Sequence, residues 1–94
     1  MCTVNYRHFS QIIPDNDEVY IQHFLGIIDS VDELAILEIT KNSESYSFRL
    51  VPSVPRYNTS LITEILRFHN LFGIQINMSK SIKTSGTIYF EIQL

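Results

Sequence analysis

Three histidines, a lone cysteine and two acidic pairs are the side chains of this 94-residue chain whose types could do chemistry. Imidazole and thiolate are the usual zinc ligands, and a zinc site recruits them a few residues apart so that one turn delivers two donors. His8, His23, His69 and Cys2 show no such spacing. Asp15 with Asp17, and Asp32 with Glu33, could serve as general acid and base. Both pairs fall where an element is expected to begin, and capping accounts for carboxylates there. The chain has no Gly-x-Ser-x-Gly elbow, no Walker loop and no dinucleotide fingerprint. The expectation is a non-enzyme with no catalytic residue, no metal and no cofactor. His23 and His69 lie beside apolar positions and are expected to be partly buried, bonded to a carbonyl or placed at a helix end, where positive charge is favoured. Cys2 cannot close an internal disulfide, so it is expected to be a mobile terminal thiol in a reducing compartment; the Met-Cys start lacks the Met-Gly of a myristoylation signal.

The elements that must position these groups are clearest between residues 58 and 94. Asn58 and Thr59 are good helix caps, because a short side-chain oxygen can accept from a free amide of the first turn. Leu61, Ile65, Phe68 and Phe72 then recur at helical spacing, with Ile62, Leu66 and His69 on the adjoining edge, which predicts one helix with a wide apolar face. Gly73 can adopt the left-handed conformation that ends a helix. The period then changes to two. Ile74, Ile76 and Met78 alternate with polar residues, as do Ile88, Phe90, Ile92 and Leu94, which predicts strands over 74–79 and 87–94 joined by a polar turn.

The first half repeats the order. The run 14–18 (Pro-Asp-Asn-Asp-Glu) puts acids where a helix dipole favours them, and Tyr20, Phe24, Ile27, Ile28 and Val31 follow at helical spacing, predicting a helix over about 16–29. Gly26 inside it costs about 1 kcal/mol relative to alanine, which points to a closely packed neighbour or an early helix end. Residues 34–40 and 46–51 predict a second hairpin, with Tyr46, Phe48 and Leu50 facing one way and Ser47 and Arg49 the other. Pro52 and Pro55 remove ladder donors, so 52–57 is an extended loop. Residues 1–13, with Val4, Tyr6 and His8 in alternation, read as an edge strand or a mobile terminus. The economical architecture is an α+β two-layer sandwich of order αββαββ: a four-stranded, mostly antiparallel sheet with both helices on one face, in one domain covering residues 1–94.

The segment 65–94 carries a resemblance. A helix ending near His69 and Gly73, a strand over 74–78, a loop, and then Gly86-Thr87-Ile88-Tyr89-Phe90-Glu91-Ile92-Gln93-Leu94 resemble the last helix and hairpin of the histidine-kinase-type ATPase domain, over about a third of the chain. That family's nucleotide chemistry uses an asparagine-bearing helix for magnesium and glycine-rich loops for the phosphates. Here the glycines are Gly26, Gly73 and Gly86. The resemblance therefore implies a degenerate ATPase-like domain that acts only by binding.

Charge and composition bound the partners. Residues 1–45 hold two basic groups against eight acids, a balance of −6, whereas residues 46–94 hold five basic groups against two acids, a balance of +3. Such a split can steer a charged partner or favour self-association. The net charge of −3 and pI near 5.4 argue against a nucleic-acid binder. No apolar run approaches the length of about 20 residues that spans a bilayer, and the start lacks the basic and apolar regions of a signal peptide, so an intracellular, most simply cytoplasmic, protein is expected.

The candidate partner-binding residues fall into two groups. The turn 79–86 sets Lys80 and Lys83 and four hydroxyls around Ile82 and could hold an anion. Arg49 and Tyr89 on the outer sheet face, with Arg56 and Tyr57 in the proline loop, are of the types enriched at interface hot spots. Open strand edges offer a further route by strand addition. These features predict a non-catalytic interaction or regulatory module, a subunit or adaptor that binds another protein chain or its own copy. The alternative is a nucleic-acid-binding domain that uses the polar sheet face.

Overall fold

The computed structural model describes residues 2–7 and 15–93. In chain order the elements are β1 (Thr3–Arg7), α1 (Asp15–Val31), β2 (Ile36–Lys41), β3 (Ser45–Val51), α2 (Thr59–Leu66), α3 (Phe68–Phe72), β4 (Ile76–Lys80) and β5 (Ile88–Gln93). The strands form one five-stranded sheet of order β1-β2-β3-β5-β4. The four strands expected from the sequence are all present, and the four-stranded sheet is corrected by a fifth. β1 adds at the edge parallel to β2, with Val4 opposite Leu37, so the sheet is mixed. Thr3 N–H donates to the Ala35 carbonyl at 3.0 Å and fixes that register. The remainder of the N-terminal stretch, with His8 and Pro14, lies outside the described residues, and α1 begins at Asp15, within the acidic run expected to open it.

The alternating pattern sorts the sheet into two faces. On the inner face Ile39 stands opposite Phe48, Phe48 opposite Phe90 and Phe90 opposite Met78, one apolar row across four strands. Leu37, Tyr46, Leu50, Ile88 and Ile92 are buried on the same face. Both helical segments cover it, as expected. From α1 come the buried Ile21, Phe24 and Ile28, spaced to share one side of a helix. From α2 and α3 come the buried Leu61, Ile65 and Phe68. Removing an aliphatic or aromatic side chain of this kind from water contributes about 1.5–3 kcal/mol.

The local signals at the second helix hold in detail. Asn58 Oδ1 accepts from Leu61 N–H at 3.1 Å, and Gly73 closes α3 at φ 67° with its N–H on the His69 carbonyl at 2.8 Å. The expected single helix is interrupted at Arg67, whose ψ of −13° departs from the α-helical value. The bonds from Arg67 N–H to Thr63 and from Leu71 N–H to Arg67 nonetheless carry the helical path across. β4 begins two residues later than expected, because the Ile74 carbonyl meets the His69 ring at 3.2 Å instead of a strand partner.

Gly26 corrects a second expectation. The helix runs past it to Val31, and a Cβ built at Gly26 meets nothing within 4 Å. Neither a packed neighbour nor a helix end accounts for it. Gly26→Ala is therefore expected to stabilise the fold by about 0.5–1 kcal/mol, through the lower entropy of the unfolded chain and the higher helix propensity of alanine. For a domain of this size that is a rise in midpoint of a few degrees in thermal unfolding followed by circular dichroism. A lowered midpoint would show that the position needs glycine.

Candidate functional site

The seven candidate binding residues separate into two places. Arg49 and Tyr89 are opposite one another on the outer face of the central strands β3 and β5. Arg49 also stands opposite Glu38 on β2, and its Nη1 lies 3.4 Å from Glu38 Oε1. Hydrogen bonding to Tyr89 raises the guanidinium pKa further above its ordinary value; partial burial opposes this and Glu38 adds to it. Beside this row Ser47 Oγ donates to Glu91 Oε2 at 3.1 Å and Asn42 Nδ2 donates to Ser47 Oγ at 2.7 Å. Gln93 Nε2 donates to Glu91 as well. Two shallow cavities of about 360 and 210 Å³ lie along this face and share Ser47, Phe48 and Tyr89. The face is polar, but its polar groups answer each other.

The other candidates meet at one end of the sheet. β3 and β5 run antiparallel with Leu50 opposite Ile88, so the loop leaving β3 and the turn entering β5 emerge side by side. Gly86 seats the turn against the loop. Its φ is 83°, and a Cβ there would lie 2.6 Å from the Arg56 backbone nitrogen. Ser85 Oγ donates to the Pro55 carbonyl at 2.7 Å, and Tyr57 Oη donates to the Ser81 carbonyl at 2.7 Å. Lys80 Nζ stands 5.0 Å over the Tyr57 ring, within cation–π range. The turn is braced internally as well: Ser81 N–H donates to the Thr87 carbonyl at 2.9 Å, and Thr84 N–H to Ser81 Oγ at 3.1 Å. Arg56, Lys83 and Ile82 are exposed on the resulting platform, Ile82 completely so.

Asp32, read as a cap from the sequence, ties the same end to α1. Its Oδ2 accepts from Ser53 N–H at 2.8 Å. Partial burial pushes its pKa up, yet the bonds from the Ser53 amide and hydroxyl and the Leu34 amide outweigh that and hold it below the usual value. A cleft of about 380 Å³ between this corner and α2 is lined by Asp32, Val54, Arg56, Tyr57 and Thr59 among others. Sequence reasoning took the turn 79–86 and the proline loop as separate features and did not single out Val54, nor the roles of Ser85 and Gly86 in joining the two. The one available signal was Gly86 itself, a glycine directly before a strand.

The remaining chemistry-bearing residues have structural surroundings. Cys2 corrects the expected mobile thiol: it is buried, its N–H donates to Asp29 Oδ1 at 2.7 Å, and burial followed by Asp29 raises its pKa. His69 is exposed, which corrects the expected partial burial, and its Nδ1 lies 3.2 Å from the Ile74 carbonyl just past the helix end. His23 lies edge-on to Phe24 and Phe72, with ring centroids at 5.7 and 5.2 Å. Its Nε2 is buried without a hydrogen-bond partner, and desolvation lowers its pKa against a smaller opposing effect of Glu64. Among the described residues no group of three His, Cys, Asp or Glu gathers as metal ligands, and no helix is long and apolar enough to cross a membrane.

No family model matches the chain, and no curated protein matches it. Solved structures similar to it include a nucleotide-free form of the catalytic domain of histidine kinase ThkA, at 16% identity and a TM-score of 0.41, covering 98% of this chain and 78% of that one. The functional reading therefore rests on the site itself.

Two outcomes are expected from this geometry. Gly86→Ala, strained by both its φ and the Arg56 backbone, is expected to cost about 1–3 kcal/mol and to speed amide exchange at Ser81 and Thr87; unchanged exchange would show that the two loops are not seated on each other. For His23, the folded pKa lies below the unfolded value of about 6.5, so the unfolded state takes up the proton first. Its contribution to stability is complete above that unfolded value and is lost as pH falls toward the folded one. His23→Leu is expected to flatten the fall in melting midpoint between about pH 7 and pH 5. An unaltered slope would assign that pH dependence to other groups.

Proposed function

We propose that this chain is a non-catalytic interaction module, a subunit or adaptor that binds another protein chain through the platform formed by the proline loop and the β4–β5 turn. The observation that carries the proposal is the seating of Gly86 against the Arg56 backbone, with Ser85 on Pro55 and Tyr57 on Ser81. A surface held in place before a partner arrives loses little conformational entropy on binding. It presents Arg56 and Tyr57, two residue types that dominate interface energetics, beside the fully exposed Ile82. The outer sheet face supports nucleic acid less well, because Glu38 and Glu91 interleave with Arg49 where a polyanion would need a basic stripe.

Placing a photo-crosslinking amino acid at Ile82 tests this in the cells that make the protein. A discrete crosslinked product with a second polypeptide is expected at Ile82, and none at Val19, which is exposed in the first two turns of α1, at the opposite end of that helix from Asp32. Equal yields at both positions, or no product at Ile82, would remove the docking reading.

A further inference from the structure

The partner's chemistry can be read from the platform's charge. Residues 52–59 and 79–89, the two segments that build it, contain Arg56, Lys80 and Lys83 and no acidic residue. Lys80 stands over the Tyr57 ring, and the backbone of the exposed Arg56 is fixed by the close approach of Gly86. Lys83 is three residues from Lys80 and three from Gly86, which keeps its Cα within about 11 Å of both. Among the described residues none of these three cations has a carboxylate within ion-pair distance, while Arg49 and Arg67 each have one. The nearby carboxylate Asp32 is engaged by the Ser53 amide.

Two exposed apolar residues accompany the cations, Ile82 between Lys80 and Lys83 in the turn and Val54 two positions before Arg56 in the loop. Ile82 is fully exposed at the turn, and Val54 is about half exposed in the loop. A free isoleucine at the tip of a braced turn costs little to cover, and its burial would add a non-polar anchor amid the charges. The whole chain carries a net charge of −3, so these three cations, without a carboxylate in ion-pair distance among the described residues, gather at one end of the sheet against an acidic remainder that there includes Asp32 and Glu33.

On the docking reading above, we propose that the platform binds an acidic segment of a partner protein: a short stretch of Asp and Glu around one apolar residue, its carboxylates meeting Arg56, Lys80 and Lys83 and its apolar side chain meeting Ile82 and Val54. Arginine can grip a carboxylate in two-point fashion, whereas the lysines act as adjustable point charges. The association is charge-steered, so it weakens with added salt.

The direct test uses a fluorescein-labelled nonapeptide of Asp and Glu with one central Leu, and the same peptide with Asn and Gln in place of the acids, read by fluorescence anisotropy. Binding of the acidic peptide alone is expected. It should weaken about tenfold or more when Lys80→Glu and Lys83→Glu are combined, and fall steeply between low and physiological salt. Both lysines are solvent-facing, and matched thermal unfolding of the double variant would show the loss to be local. Equal binding of both peptides, binding of neither, or tighter binding of a single-stranded oligonucleotide of equal charge would overturn the acidic-partner proposal. The crosslink at Ile82 keeps the two readings apart. A partner captured there through a segment without acids would leave the docking module standing and remove this inference, whereas an absent crosslink would remove both.

Discussion

The fold depends on one aromatic stack. Phe24 of α1 lies against Phe48 and Phe90 of the sheet at centroid distances of 5.3 and 5.1 Å, and stacks on Phe68 of α3 at 4.7 Å. Phe48 and Phe90 are themselves stacked at 4.6 Å across neighbouring strands. A single side chain thereby joins both helical segments to the two central strands. Truncating such a residue removes its transfer free energy and leaves a cavity, about 3–5 kcal/mol together. That is a large part of the net stability of about 5–15 kcal/mol typical of a domain. Because the stack draws both helical segments to one side, the opposite face of the sheet is left to polar side chains.

What the helices leave uncovered differs between the sheet face and the sheet end. On the face, strand register does the pairing: Glu38, Arg49 and Tyr89 stand in one row and Ser47 and Glu91 in the next. At the end, pairing comes from two loops leaning together, with hydrogen bonds that span 24 and 30 residues of sequence. The first kind of order follows from the sheet. The second needs a glycine at one position and a serine and a tyrosine at two others, and it orders the backbone while Arg56 and Lys83 stay exposed and Lys80 rests over the Tyr57 ring.

This difference also explains what could be read from the sequence. Periods of 3.6 and 2 are local properties, so α1, the helical segment 59–72 and four strands were legible, with Asn58 and Gly73 marking their cap and stop. β1 is five residues long and takes its only neighbour from a parallel partner more than thirty positions away, so alternation alone could not separate a strand from a free terminus there. Its pairing buries Cys2 as well, which no single-residue argument could reach. Gly26 misled for the opposite reason: glycine in a helix usually answers a packing demand, and here nothing approaches it. Of the seven candidate binding residues, the types were legible and the grouping was not. Lys80 and Tyr57 are 23 positions apart, and only the antiparallel register of β3 and β5 brings their loops together.

The division between paired and unpaired charge gives a physical reason to place recognition at the sheet end. A ligand on the outer face would have to desolvate Glu38 and Arg49 or compete with the bonds they already make, and dehydrating an ion pair can exceed what the new contact returns. At the platform the cations are exposed and, among the described residues, have no carboxylate in ion-pair distance to release, so an incoming one gains a contact without breaking an ion pair. The backbone beneath them is already fixed by Gly86, Ser85 and Tyr57. Exposed ion pairs contribute about 0–1 kcal/mol each, so three of them alone would give a weak and salt-sensitive encounter. Ile82 and Val54 alter that balance, since apolar burial among the charges is unaffected by screening and lengthens the life of a complex that the charges bring together quickly.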